Sequence, residues 1–235
     1  RPVFGDGFDI LIVRENTEGL YSGIEWQEKD RACTLRVVSE AGTRRIARIA
    51  SGCAKRRRRH LTIGNKANVL KSDSYFLEIC MEEAERAGIS IDKKYIDSLV
   101  LDVLSHPERY DVIVTTNIFG DILSDAVAFL QGGLGMLPSA NLGRHQALFE
   151  PVHGSAPDIA GKGIANPIAA IRCVSLLLKY VGEKPFAIEV EKAIQKTLAD
   201  GIKTPDLGGT ANTSEVGQAI LQNLISIKKE EIIDL

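Results

Sequence analysis

Apolar residues in this chain fall into two kinds of run. Short continuous runs, Phe8 to Val13, Leu61 to Gly64 and Val112 to Thr116, have the length and branched content of buried strands. Thr34 to Val38 and Ala147 to Phe149 read as two more strands. Longer stretches repeat at helical spacing. One helix is predicted from Glu40, with Ile46, Ile49, Ala50 and Cys53 on its stripe. A second covers Asp73 to Ala87 (Phe76, Leu77, Ile79, Cys80, Ala84) and stops at Gly88. An apolar turn follows over Leu99 to Leu104, and Asn117 opens a helix that continues to Leu130. Near the C-terminus, Asn166 caps a helix with Pro167 in first position, running to about Val181. Phe186 to Ala199 is another. The last begins at Asn212, where Glu215 completes a capping box, with Val216, Ala219, Ile220, Leu224 and Ile227 as its stripe. Lys228 to Leu235 is expected to fray.

Between these elements lie the stretches with candidate chemistry. Asp121 and Asp125 are four residues apart on the Asn117 helix and share one face. Like charges at that spacing destabilise a helix by a few tenths of a kcal/mol, so they call for open water or a cation. Hard divalent ions take oxygen ligands of this kind. The polar stretch Arg14 to Gly23 leaves a buried strand, a usual place for sites. Arg14 and Tyr21 are its versatile members, and a surface ion pair and a half-buried aromatic are equally compatible with the pattern. Lys66, among small and apolar neighbours, reads either as a desolvated base or as a snorkelling surface lysine. Gly132 to Gly143 is a long glycine-broken loop. Glu150 to Pro167 is another, without a GxGxxG turn, and loops of that length are usually functional.

Composition narrows the field without choosing a function. The 235 residues are 44% hydrophobic and 26% charged with a net charge of -2, enough for one large domain or two smaller ones. That balance gives no general case for nucleic-acid or membrane binding, and no apolar run is long enough to span a bilayer. The basic run Lys55 to His60 invites a nucleic-acid reading through Arg56 to Arg59. Without interleaved aromatics or a second patch it reads as a solvated helix end. Four cysteines, Cys33, Cys53, Cys80 and Cys173, contain no CxxC pair and read as buried free thiols of a reducing compartment. The chain opens at Arg1 without an initiator Met, and a piece of a longer protein is expected.

Several stretches taken together resemble one family. Arg14 to Glu25 (RENTEGLYSGIE), Asn65 to Leu70 (NKANVL), Asp111 to Asp125 (DVIVTTNIFGDILSD), Gly132 to Gly143 (GGLGMLPSANLG) and Phe149 to Pro167 (FEPVHGSAPDIAGKGIANP) resemble the β-decarboxylating dehydrogenases. These are the isocitrate, homoisocitrate and 3-isopropylmalate dehydrogenases, with tartrate dehydrogenase as a relative. The resemblance implies an α/β fold of two domains with its own dinucleotide site, not a GxGxxG Rossmann domain. Residues 1–131 would be the inserted dimerisation and catalytic domain. Residues 132–235 would be the C-terminal half of the cofactor-binding domain, the family's opening third being absent. Two departures stand out: Phe4 to Gly7 replaces a longer loop of the family, and Asn65 stands where His commonly precedes the lysine.

The resemblance also implies roles. Arg1 and Arg14 would clamp substrate carboxylates, as guanidinium forks suit planar carboxylates. Asp121 and Asp125, with Asp97 of a neighbouring subunit, would bind Mg2+ or Mn2+. Lys66, also given across a homodimer or higher oligomer of dimers, would take the substrate hydroxyl proton, and Tyr21 would protonate the enol carbon. Asn68, Glu150, His153, Gly154, Ala156, Pro157, Asp158, Ile159 and Asn166 would bind the cofactor. Asp158 favours NAD, since a carboxylate accepts from ribose hydroxyls and repels a 2'-phosphate; NADP-using relatives carry Lys-Tyr in place of Asp158-Ile159. The implied reaction is oxidative decarboxylation of a small hydroxy-polycarboxylate, of isocitrate or homoisocitrate type, in the cytoplasm or a mitochondrial matrix. No nucleic-acid or membrane partner is expected. A 3-isopropylmalate dehydrogenase is the alternative, and a non-catalytic regulatory subunit the reading from another class.

Overall fold

A computed structural model of the chain describes residues 7–233. Arg1 lies outside the described residues. The chain divides into two compact units, one ending at Val127 and the next starting at Ala128.

In chain order the first unit contains β1 (Leu11–Arg14), a hairpin of β2 (Glu25–Gln27) and β3 (Ala32–Thr34), α1 (Glu40–Lys55), β4 (His60–Asn65) and α2 (Lys71–Ala87). It continues with β5 (Ser90–Tyr95), α3 (Ile96–Ser105), β6 (Val112–Thr115) and α4 (Asn117–Ala128). Strands β1, β6, β4 and β5 lie side by side in that order, all parallel. The two central strands are the continuous apolar runs of the sequence, as strands covered on both faces must be. Leu61, Ile63, Val112 and Val114 pack with Ala47, Ala50, Ala54, Phe76 and Cys80 of α1 and α2. Alternate residues point the other way; there Gly64 faces α3, so closely that a Cβ would stand 3.0 Å from Leu99 Cδ2.

Three expectations for this unit need correction. The second strand is not Thr34 to Val38: β3 ends at Thr34, and Val37 makes only an isolated bridge to Gly19. On α1 the buried face is Thr43, Ala47, Ala50, Ser51 and Ala54, while Ile49 is exposed. Small side chains let α1 settle against α2 and the sheet, and they outweigh the larger residue beside them. The basic run after α1 is not simply solvated. Arg57 Nε donates to the buried Asp111 carboxylate at 2.6 Å and Arg58 N at 2.8 Å, which ties the helix end to the start of β6.

The second unit pairs β7 (Pro138–Leu142) with β8 (Ala147–Pro151) in an antiparallel hairpin, followed by α5 (Ile168–Tyr180), α6 (Lys184–Ala199) and α7 (Thr213–Ile233). Strand β7 thus occupies five residues of the predicted loop. Ile168, Val190, Ala193, Ile194, Val216 and Ile220 form its core with Met136. The capping box closes reciprocally: Asn212 N donates to Glu215 Oε2 at 2.8 Å and Glu215 N to Asn212 Oδ1 at 2.9 Å. Helix α7 continues to Ile233 where fraying was expected from Lys228. All four cysteines are free, but only Cys80 and Cys173 are buried as expected, Cys33 and Cys53 being half-buried. Among the described residues no helix is long and apolar enough to cross a membrane.

On α2, buried Glu83 takes ion pairs from Arg44 (2.9 Å), Arg48 (3.1 Å) and Arg86 (2.8 Å). Burial opposes its ionisation, but the Arg48 and Arg44 hydrogen bonds and the Arg86 charge outweigh that and hold the carboxyl below its ordinary value. A group whose folded pKa is lowered stabilises the fold above its unfolded pKa and loses that effect as pH falls. Glu83→Gln in the full-length protein should therefore lower Tm at pH 7 by about 2–5 °C. The difference from wild type should shrink below about pH 4.3, the ordinary glutamate value. Thermal melts across pH check this, and a difference independent of pH contradicts it.

Candidate active site

In open α/β sheets, ligands bind beyond the carboxyl ends of the strands. Arg14 is the last residue of β1, and α4 starts two residues after β6 ends. These two chain segments meet. The Arg14 guanidinium donates from Nη1 to Asp121 Oδ1 at 2.6 Å, and from Nε (3.0 Å) and Nη2 (2.8 Å) to Asn117 Oδ1. The Tyr21 hydroxyl donates to the other Asp121 oxygen, Oδ2, at 3.0 Å, and its ring lies 5.6 Å from Arg14 Cζ. That hydrogen bond and the Asp121 charge hold the Tyr21 pKa above its ordinary value, so the phenol keeps its proton at neutral pH. One turn along, burial and the Asp121 charge push the Asp125 carboxyl up. Two hard oxygen donors on one helix face could hold a divalent cation.

The geometry depends on residues that the sequence reading passed over. Glu15 is buried and accepts from Thr17 N (3.0 Å), Thr17 Oγ1 (2.6 Å) and Glu18 N (3.0 Å), folding the chain just past Arg14. Glu18 accepts from Ser39 N (2.8 Å) and Ser39 Oγ (2.7 Å) at the start of α1, and its backbone oxygen accepts from Asn117 Nδ2 at 3.1 Å. Two acidic residues flanking Asn16-Thr17 are the local signal for such a turn. Gly120 has the same importance: a Cβ there would sit 2.6 Å from Arg14 Cγ.

Lys66 and Asp97 form a separate pair. Lys66 follows β4, Asp97 lies in the first turn of α3, and Lys66 Nζ is 2.8 Å from Asp97 Oδ1. The Lys66 hydrogen bond draws the Asp97 carboxyl below its ordinary value. Buried Asn65 fixes the turn, donating from Nδ2 to Ile63 O and Lys94 O and accepting from Ala67 N, each at 3.1 Å. Among the described residues, no group of three His, Cys, Asp or Glu side chains is placed to hold a metal ion. Within one chain, then, Asp97 does not complete the Asp121 and Asp125 set.

Asn68 is exposed on the turn after Lys66, in the first unit. The other expected cofactor residues lie in the second. Glu150 Oε1 accepts from Asn141 Nδ2 at 2.7 Å. His153 Nδ1 lies 2.9 Å from Gly154 O. Ala156 has φ 44°, a left-handed conformation that turns the chain into the short helical turn Pro157–Ile159, where Asp158 is exposed. Asn166 is engaged at both ends, accepting from Ile168 N at 3.0 Å and donating to Asp206 Oδ2 at 3.0 Å. A cavity of about 530 Å³ lies elsewhere, at the amino-terminal edge of the first unit's sheet, lined by Asp9, Arg57, Arg58 and Asp111, whose charges are paired with one another.

The parallel sheet, with an arginine and carboxylate cluster at the carboxyl ends of its strands, defines an α/β protein. Residues 1–220 match the isocitrate/isopropylmalate dehydrogenase family, and the chain belongs to it. It is 50% identical over 215 residues to a homoisocitrate dehydrogenase of Methanocaldococcus jannaschii, covering 91% of this chain and 62% of that protein. A 3-isopropylmalate/3-methylmalate dehydrogenase of the same organism is 48% identical over 225 residues, covering 92% of this chain and 67% of that protein. The crystal structure of isocitrate dehydrogenase from Methylococcus capsulatus superposes with a TM-score of 0.87 at 45% identity, over 91% of this chain and 66% of that one.

Gly120→Ala should displace Arg14 from Asp121. Overpacking of this kind costs about 1–3 kcal/mol, visible as a lower Tm, and substrate affinity should fall with it. Unaltered melting and kinetics would show that Arg14 does not need that space.

Proposed function

We propose that the full-length protein is an NAD-dependent dehydrogenase that oxidises and decarboxylates a 2-hydroxy acid carrying a 3-carboxylate, of the isocitrate or homoisocitrate type, with Mg2+ or Mn2+. The observation that carries this is the Arg14–Asp121–Tyr21 cluster, in which a guanidinium fork and a protonated phenol each hydrogen-bond one oxygen of the same carboxylate. Arg14, partly exposed, offers its fork to a substrate carboxylate. Asp121 and Asp125, with Asp97 of a second copy, would hold the divalent ion. Such an ion would supply a Lewis acid for substrate oxygens, and a nicotinamide held by the cofactor residues would supply the hydride acceptor. Tyr21 keeps the proton that the enol carbon needs, and Lys66 of the second copy, in its neutral form and released from Asp97, would receive the proton of the substrate hydroxyl.

The homodimer rests on two supports. Lys66 and Asp97 pair with each other, and Asp97 forms no three-carboxylate group with Asp121 and Asp125 among the described residues. Val69, Tyr95 and Leu101, nearby in the chain, are exposed apolar side chains that a partner could cover. In the second unit, Asp158 is exposed on its turn, where its charge would disfavour a 2'-phosphate, hence NAD over NADP. Free thiols support a reducing compartment, cytoplasm or mitochondrial matrix. A 3-isopropylmalate substrate is the second reading, supported by a relative of that name at nearly the same identity.

The test is turnover by the full-length protein of isocitrate, homoisocitrate and 3-isopropylmalate with Mn2+ and either cofactor. One of these acids should reduce NAD with matched CO2 release, abolished by EDTA, and kcat/KM should favour NAD over NADP about tenfold or more, the effect of ~1.4 kcal/mol. No turnover of any acid, or equal use of NADP, would contradict the reading.

A further inference from the structure

One buried ion pair joins the two halves of the site from beneath. Asp73, in the first turn of α2, is fully buried, and the Arg36 side chain is only 12% exposed. Arg36 Nη2 stands 2.5 Å from Asp73 Oδ1, as a charge contact rather than an aligned hydrogen bond. The second Asp73 oxygen accepts from the backbone N–H of Lys66 at 2.6 Å. In the other direction Arg36 Nη2 donates to Thr116 Oγ1 at 2.9 Å, one residue before α4, and Arg36 Cζ lies 4.8 Å from the ring centre of Phe119. Phe119 precedes Asp121 by two residues.

We propose that Arg36, with Asp73 as its counterion, is a positioning residue that holds the Lys66 turn and the first turn of α4 in one register. This rests on the function proposed above. A buried ion pair is a weak source of stability, and apolar side chains of similar volume often replace one without loss. What apolar side chains could not do is grip the Lys66 amide and the Thr116 hydroxyl together. The arrangement has that dual reach at the expense of Arg36 Nε, which is buried with no hydrogen-bond partner among the described residues. Burial likewise holds the Asp73 carboxyl above its ordinary value despite Arg36 and the Lys66 amide. If Lys66 serves the neighbouring copy while Asp121 serves its own, one Arg36 lesion disturbs both sites of a dimer.

The test uses the full-length protein with Arg36→Met and Asp73→Asn combined. Both charges leave together, and an oxygen remains for the Lys66 amide. The double variant should fold, while kcat falls about a hundredfold, the cost typical of misplacement by about 1 Å, and substrate KM stays within about threefold. Hydrogen exchange should quicken at the Lys66 amide and also at the Gly120 amide, which donates to Thr116 O. Wild-type kcat, or faster exchange at only one of the two amides, overturns the proposal. If the double variant fails to fold, Arg36→Lys replaces it: a lysine retains the charge but cannot reach both partners, so the same fall in kcat is expected, and unchanged kcat overturns the proposal. Should wild type oxidise none of the hydroxy acids, the functional reading fails while the exchange comparison still decides the positioning role.

Discussion

The contact between Arg14 and Asp121 is the constraint on which the rest of the site depends. It joins the end of β1 to the first turns of α4, 107 residues apart in sequence. Both partners are partly exposed, so the pair adds little to stability. Its importance lies in orientation. Asn117 accepts from two guanidinium nitrogens, which leaves one rotation of the Arg14 fork, and Gly120 provides the space in which the side chain lies. Glu15 and Glu18 then fold the following loop so that Tyr21 returns to the second Asp121 oxygen.

That arrangement leaves a charge pattern with a chemical consequence. Arg14 supplies one positive charge near two carboxylates, Asp121 and Asp125, and burial first, then the Asp121 charge, holds the Asp125 carboxyl above its ordinary value despite Arg14. A divalent ion and an anionic substrate would balance these charges together. Lys66 and Asp97, already paired, form a nearly neutral unit at the edge of the same sheet. Presented across a two-fold axis, each unit would complete the other's site, and the isologous contact would make two equal sites.

The legible parts of the sequence were those governed by local rules. β4 and β6 could be read because both faces are covered and their central positions, Leu61 to Gly64 and Val112 to Thr115, are apolar or small. The polar edge strand β5, Ser-Ile-Asp-Lys-Lys-Tyr, has one face on water and too few apolar residues to signal itself. β7, rich in small and polar residues, hid inside a glycine-broken stretch. On α1 the periodicity was sound but Ile49 drew attention from the alanines that pack. For the site, spacing alone reached the Asp121 and Asp125 pair. The roles of Arg14, Tyr21, Lys66 and Asp97 came from family resemblance. Glu15, Glu18, Arg36 and Asp73 act through contacts that periodicity does not encode, and only the folded chain reveals them.

The central claim, a site built from two copies, is tested most directly by mixing. A Lys66→Ala chain and a Tyr21→Phe chain, each inactive alone, are combined under conditions of verified subunit exchange. With a shared site, the heterodimer has one site with both lesions and one with neither, and activity returns toward roughly a quarter of wild type by statistical pairing. If exchange is complete and no activity returns, Lys66 serves its own chain and the shared site is wrong.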